Sequence, residues 1–203
     1  MKEVYLYMFP GLMYFWVFFI AQDATREILD ERDTHILQRL LASPVTLFQV
    51  LLAKMIRCGL LCGAIQGLLL GASAWLFGIE WGNPYLLVAV VGMWAFTITG
   101  LLAAIYALAR TKEQANSLFW VVAVACALLG GSFFPFDRLP SFLQLLGQLS
   151  PNHWGIVAMH KIAYEHPWQD LLKPLAILGT MGLAGSVLAF VLFGRQLAAG
   201  VNR

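Results

Sequence analysis

Residues 85–109 read YLLVAVVGMWAFTITGLLAAIYALA, an unbroken apolar run without a charged side chain. A helix needs about 20 such residues to cross a bilayer, so this stretch decides that the chain is built for lipid. Working outward, four more segments have the same character: residues 4–21, 45–77, 115–134 and 171–193. Together they predict an all-α, polytopic membrane helix bundle with five transmembrane helices. Residues 45–77 exceed one crossing, so their first turns are expected at the interface, where Lys54 and Arg57 can reach the headgroups. Pro10 and Gly11 mark either the start of the first span or a kink within it.

Composition agrees. Of 203 residues, 60% are apolar and 12% charged, against about 25% charged in a soluble domain. The mean hydropathy is +0.75. Disorder and nucleic-acid binding are excluded, and the composition argues against a water-soluble enzyme domain, because too few charges exist to cover a soluble surface. The net charge of +2 is close to neutral and carries no information about partners. Cys58, Cys62 and Cys126 all fall inside apolar runs, as packing residues do.

The basic residues set the orientation. With the amino terminus outside, the cytoplasmic segments hold Arg26, Arg32, Arg39, Lys54, Arg57, Arg110, Lys112, Arg195 and Arg203. The external segments hold Lys2, Arg138, Lys161 and Lys173. The excess of basic residues inside predicts amino terminus out and carboxyl terminus in. A signal peptide fits residues 4–21 poorly, since Glu3 offsets Lys2 and an acidic stretch follows. An odd number of spans with an outside start leads us to expect at least one further span upstream of this sequence. The spans carry almost no ionisable group, which argues against a proton relay. Gly59, Gly63, Gly67 and Gly71 repeat every four residues and predict a helix-packing stripe within the bundle or between protomers.

Two segments are not spans. Residues 23–43 are the most charged stretch, and much of the apolar set Ile28, Leu29, Ile36, Leu37, Leu40 and Leu41 can form one face of an amphipathic helix. Arg26 with Asp30 and Glu31 with His35 are supporting pairs four residues apart. Ser43 and Pro44 break the chain before the next span, so the residues alone predict either a cytoplasmic elbow helix that docks a partner or a solvated loop. Outside, Gly130, Gly131, Phe134 and Pro135 interrupt the fourth span, and Leu139 and Pro140 open a new segment. Residues 142–149 form a short amphipathic helix, Ser150 and Pro151 end it, and residues 153–165 form a second. Trp154, Tyr164 and Trp168 suit the headgroup zone. Helix breaks at membrane depth must be buried in protein or line a cavity, so residues 130–168 are expected to be an external re-entrant helical hairpin.

No Walker A pattern occurs, so the chain holds no ATP in a P-loop of its own, and neither H-E-x-x-H nor G-x-S-x-G is present. His35, His153, His160 and His166 are split between the faces. His160, Glu165 and His166 lack metal-ligand spacing and read as a polar edge. No catalytic constellation and no metal site is expected.

The chain resembles the ABC-2 type permeases, the membrane subunits of ATP-binding-cassette exporters. The resemblance rests on Arg26, Glu27, Glu31 and Arg32, on the run Leu37-Gln38-Arg39-Leu40-Leu41-Ala42-Ser43-Pro44-Val45, and on Lys54. Also similar are Arg110-Thr111-Lys112-Glu113-Gln114-Ala115-Asn116 and the external Gly130-Gly131, Phe134-Pro135, Leu139-Pro140, Phe142-Leu143-Gln144, Ser150-Pro151 and Trp154. His35-Ile36 stand where members often carry Gly-Thr. The match covers essentially all 203 residues, as one transmembrane domain like the carboxyl-terminal five-span part of such a permease, without its amino-terminal span and any external domain.

The resemblance implies a permease subunit of an exporter, not itself an enzyme, in the bacterial inner membrane. It implies a second permease subunit and an ATPase subunit as partners, with ATP and Mg bound by that ATPase and no cofactor in this chain. The elbow, residues 23–44, would be the coupling helix, with Arg26, Glu27, Asp30, Glu31, Arg32, Asp33, His35 and Arg39 facing the ATPase. Gly130, Gly131, Phe134, Pro135, Leu139, Pro140, Pro151 and Trp154 would form the outer gate. A non-transporting scaffold or a lipid-modifying membrane protein is the alternative reading of the same residues.

Overall fold

The computed structural model describes residues 2–33, 46–109 and 111–201. Seven α-helices make up the described fold: α1 (Lys2–Asp33), α2 (Leu47–Phe77), α3 (Pro84–Leu108), α4 (Lys112–Leu129), α5 (Ser141–Gly147), α6 (Pro151–Ala163) and α7 (Leu172–Val201). Short 3₁₀ turns at Phe136–Arg138 and Trp168–Leu171 flank the α5–α6 pair. No strand occurs among the described residues.

Local chemistry explains most boundaries. Thr46 and Gln49 form a reciprocal capping box at the start of α2, with Gln49 N donating to Thr46 Oγ1 at 3.3 Å and Thr46 N to Gln49 Oε1 at 2.9 Å. Gly78, at φ 60°, ends α2 in the left-handed conformation. Asn83 caps α3 by accepting from Tyr85 N at 2.9 Å, and Pro84 occupies its first turn. Ser150 and Pro151 do more than end the helix before them, because Ser150 caps α6 and Pro151 starts it.

The opening stretch becomes α3, the central helix, which packs against α1, α2, α4, α6 and α7. From Thr97 to Ala107 all of its side chains except Leu101 are buried, as expected of a helix that is apolar all round. Its most extensive partner is α7. Their backbones approach closely enough that a Cβ on Gly100 would lie 2.5 Å from the Gly182 carbonyl oxygen, and one on Gly185 would lie 2.7 Å from the Gly100 carbonyl carbon. Thr97 Oγ1 seals the seam, within hydrogen-bond reach of the carbonyl oxygens of Leu178 (2.7 Å) and Met93 (2.8 Å). Lipid supplies no hydrophobic drive between helices, so small residues and hydrogen bonds hold such a seam.

Among the described residues, four segments are long and apolar enough to cross a membrane: Tyr5–Arg26, Phe48–Phe77, Pro84–Leu108 and Trp168–Arg195. The expected fourth span, residues 115–134, is not among them. Its helix α4 starts on Lys112, Glu113 and Gln114 and stops at Leu129, because Gly130 closes it and Gly131 turns the chain at φ 86°. The apolar remainder from Ala115 is about 22 Å long at 1.5 Å per residue, short of a hydrocarbon core of about 30 Å.

Helix α1 also departs from expectation. It runs without a break through Pro10, which is therefore not its start, and through the charged residues to Asp33. The first half of the expected elbow thus continues the first span. Residues 34–45, including His35 and Arg39, lie outside the described residues.

Candidate functional site

Helix α1 connects two polar regions. At one end Gln22 and Thr25 look in sequence like the exit from lipid, yet they are 7% and 4% exposed. Gln22 Nε2 donates to Asn116 Oδ1 of α4 at 2.8 Å. Thr25 Oγ1 donates to the Ala21 carbonyl at 2.7 Å and lies 3.7 Å from Cys58 Sγ of α2. Arg26 follows, exposed, and the backbone of Glu27, Asp30, Glu31, Arg32 and Asp33 occupies the last turns of the helix.

The other end of α1 is clasped by the segment between α4 and α7. Tyr7 stacks on His160 of α6, with centroids 4.7 Å apart. His160 Nε2 sits 3.0 Å from the Tyr7 carbonyl oxygen; that oxygen can only accept, so Nε2 carries the proton. Gly11 is pressed against Ser132, since a Cβ there would be 2.7 Å from the Ser132 Cα. Phe15 meets Phe133 edge-on at 4.9 Å. Deeper in, Tyr14 stacks on Trp94 of α3 at 4.5 Å, and Gly155 of α6 slots over both rings.

The clasp is braced from within. Asn152 Nδ2 donates to Ser132 Oγ at 3.0 Å, and Ser150 Oγ to the Cys126 carbonyl at 2.8 Å. Gly130 leaves room for Ser150 and Asn152, while Gly147 abuts the Leu129 carbonyl oxygen. Gln144 Nε2 donates to the Leu139 carbonyl at 2.8 Å and so folds the Pro140 corner. Burial pushes the His153 imidazole down to about 4 against the opposing pull of Asp137, and burial also lowers His160. Both rings are neutral at neutral pH.

Among the expected gate residues, Gly130, Gly131 and Pro151 build the corners of this clasp, and Phe134 stands 59% exposed. Pro135 and Leu139 bracket the first 3₁₀ turn, and Pro140 precedes α5. Trp154 is not a headgroup residue: it is 9% exposed, and its indole donates to the Gln148 carbonyl at 2.7 Å. Tyr164 and Trp168 are exposed, as expected. Between α1 and the clasp opens a cleft of about 530 Å³, lined by Tyr7, Met8, Gly131, Ser132, Phe133, Phe134, Pro135, Arg138 and Tyr164. Six of these fall within residues 131–138, while Tyr7, Met8 and Tyr164 come from distant parts of the chain, and no motif marks Tyr7, Met8 or Arg138.

The glycine stripe divides. Gly59 faces Thr99 Oγ1 at 3.8 Å and Gly63 faces Val91 at 3.9 Å, whereas Gly67 and Gly71 face open space. Among the described residues no group of three or more His, Cys, Asp or Glu side chains is arranged to hold a metal. His166 instead lies 3.4 Å from Asp170.

Comparison with known proteins gives a consistent result. Residues 2–191 match the family model described as ABC-2 family transporter protein. The chain is 28% identical over 193 residues to the linearmycin resistance permease protein LnrN of Bacillus subtilis, covering 95% of this chain and 47% of that protein. It is 24% identical over 173 residues to the probable multidrug ABC transporter permease YbhR of Escherichia coli, covering 82% of this chain and 46% of that one. The chain spans about half the length of the curated relatives it matches.

Proposed function

The chain belongs to the ABC-2 transporter family, and from that premise we propose that it is the permease part of an exporter, driven by ATP hydrolysis in a separate ATPase subunit. One observation carries the mechanism: α1 is a single 32-residue helix that bears a charged stretch, Arg26 to Asp33, at one end and is clasped by the hairpin at the other. At 1.5 Å per residue it is about 48 Å long, enough to traverse a bilayer including its headgroups. A push on its charged end is therefore delivered along one continuous helix toward the residues the hairpin clasps. The Gln22–Asn116 and Thr25–Cys58 contacts tie the push to α4 and α2.

In this reading Arg26, Glu27, Asp30, Glu31, Arg32 and Asp33 on the last turns of α1, with His35 and Arg39 beyond them in sequence, form the cytoplasmic coupling surface within residues 23–44. Their mixed charges set register and partner choice on the ATPase. The segment 130–168 is the external gate hairpin. Helix α4 with the turn after it completes a fifth crossing, entering the membrane from the cytoplasmic side and meeting the re-entrant hairpin part-way. The amino-terminal turns of α1 lie outside and the carboxyl terminus lies in the cytoplasm of the inner-membrane protein. A second permease subunit completes the pathway, and the open Gly67 and Gly71 face of α2 is available to it. ATP and Mg belong to the ATPase; chemistry on a substrate bond is not part of the role of this chain.

Tagged chain purified from native membranes in mild detergent should bring a P-loop ATPase with it. The double variant Glu27→Lys and Glu31→Lys should lose that partner while remaining folded. A wild-type chain that purifies without any ATPase, under conditions that preserve a known ABC transporter complex, contradicts the proposal.

A further inference from the structure

The cleft between α1 and the hairpin has a chemical character that the coupling mechanism does not use. Its walls near Met8, Phe133 and Phe134 are apolar, and its only charged lining residue is Arg138, with the hydroxyl-bearing Tyr7 and Tyr164 beside it. Among the described residues no hydrogen bond or ion pair engages the Arg138 guanidinium, and Asp137, its neighbour in sequence, does not line the cleft. The volume of about 530 Å³ lies in the range of small-molecule sites. The walls are also preformed. Gly131 holds its turn at φ 86°, Ser132 is pinned against Gly11 and held by Asn152, and Phe133 rests on Phe15.

We propose that this cleft binds an amphiphile with one acidic headgroup, its carboxylate or phosphate on Arg138 and its apolar body along Met8, Phe133 and Phe134. Guanidinium and carboxylate or phosphate match in charge and fork geometry. Tyr7 and Tyr164 supply neutral donors that suit the same anion. The acidic group has two possible sources, an anionic membrane lipid or an acidic amphiphile in transit. The inference is independent of the direction of transport, because binding is read at equilibrium without ATP.

The test uses the full chain in phosphatidylcholine nanodiscs, with a fluorescent anthroyloxy-stearic acid and its methyl ester as probes, read by energy transfer from tryptophan. The acid should bind more tightly than the ester. Arg138→Gln should weaken the acid by about tenfold, as expected when a charge-assisted hydrogen bond is lost, and leave the ester unchanged. Arg138→Lys should retain most of the acid binding, which shows that the fold survives substitution there. Asp137→Asn should tighten the acid by removing a nearby like charge. If Arg138→Gln binds the acid within about twofold of wild type, or the ester binds wild type as well as the acid, the proposal is overturned. Adding phosphatidylglycerol to the nanodisc separates the sources. Displacement of the probe assigns the site to a lipid headgroup, undiminished binding assigns it to a soluble acidic amphiphile, and either result sustains recognition of an acid.

Discussion

On α2, Gly59, Gly63, Gly67 and Gly71 recur every four residues, yet only the first two have another helix within 4 Å. On α7, Gly179, Gly182 and Gly185 recur every three residues, and at Gly182 and Gly185 the backbone meets that of α3 around Gly100 so closely that no side chain fits. The two sets share a residue type and differ in what faces them. A stripe of small residues permits close approach, but contact requires a partner with complementary gaps and a bond to hold it. Here α7 supplies Gly182 and Gly185, and Thr97 supplies the bond. The Gly67 and Gly71 half of the α2 stripe has no such partner among the described residues.

The sharpest way to break this comparison is to fill the seam. Gly100→Leu should cost about 3 kcal/mol or more, because α3 and α7 must separate to admit it. Thermal unfolding in detergent, followed by size-exclusion chromatography, should show early aggregation. Gly155→Val drives a side chain into Trp94 and Tyr14 and should cost about 2 kcal/mol. Its signature is local, with the hairpin cut by protease while α3 and α7 stay protected. Thr97→Val leaves the packing and removes the hydrogen bond, for about 0.6 kcal/mol on the scale measured between membrane helices.

A graded effect comes from pH. His153 is held near 4 when folded, against 6.5 in an open chain, so the unfolded hairpin binds more protons between these values. Hairpin stability is then complete above pH 6.5 and falls as pH drops toward 4. Hydrogen exchange of the α6 amides should accelerate over that window, and His153→Gln should flatten the dependence. The smallest effect is expected at Gly67→Leu, within about 0.5 kcal/mol for the isolated chain. A loss of dimer without loss of fold in that variant would assign the open stripe to a second subunit.

Much of the fold was legible locally. The Thr46–Gln49 box, Gly78, Asn83 with Pro84, and the uncharged run of residues 85–109 place α2 and α3 almost to the residue. Other features depend on distant partners. Gln22, Asp23 and Thr25 look like the end of a span, and nothing nearby reveals that Gln22 meets Asn116 and Thr25 meets Cys58. The shortness of α4 was partly visible, since Gly130 and Gly131 stood out, but the apolar residues after them suggested a longer helix. The corners of the hairpin were readable from glycine and proline, whereas the cleft was not. Its Tyr7, Arg138 and Tyr164 come together only when α1 and the hairpin are docked.

The central claim is that α1 transmits force from the coupling charges to the hairpin. It can be tested without knowing the substrate. Cys58, Cys62 and Cys126 are replaced by alanine, Phe134→Cys is introduced, and labelling by a membrane-impermeant thiol reagent is followed in the ATPase complex with and without ATP and vanadate. Ala24→Pro then breaks the rod by removing its backbone bond to Ile20, while leaving the charges and the hairpin in place. The account predicts that labelling changes on nucleotide trapping with intact α1, and that Ala24→Pro abolishes the change although the ATPase stays bound. A nucleotide-dependent change of full size in Ala24→Pro would contradict it.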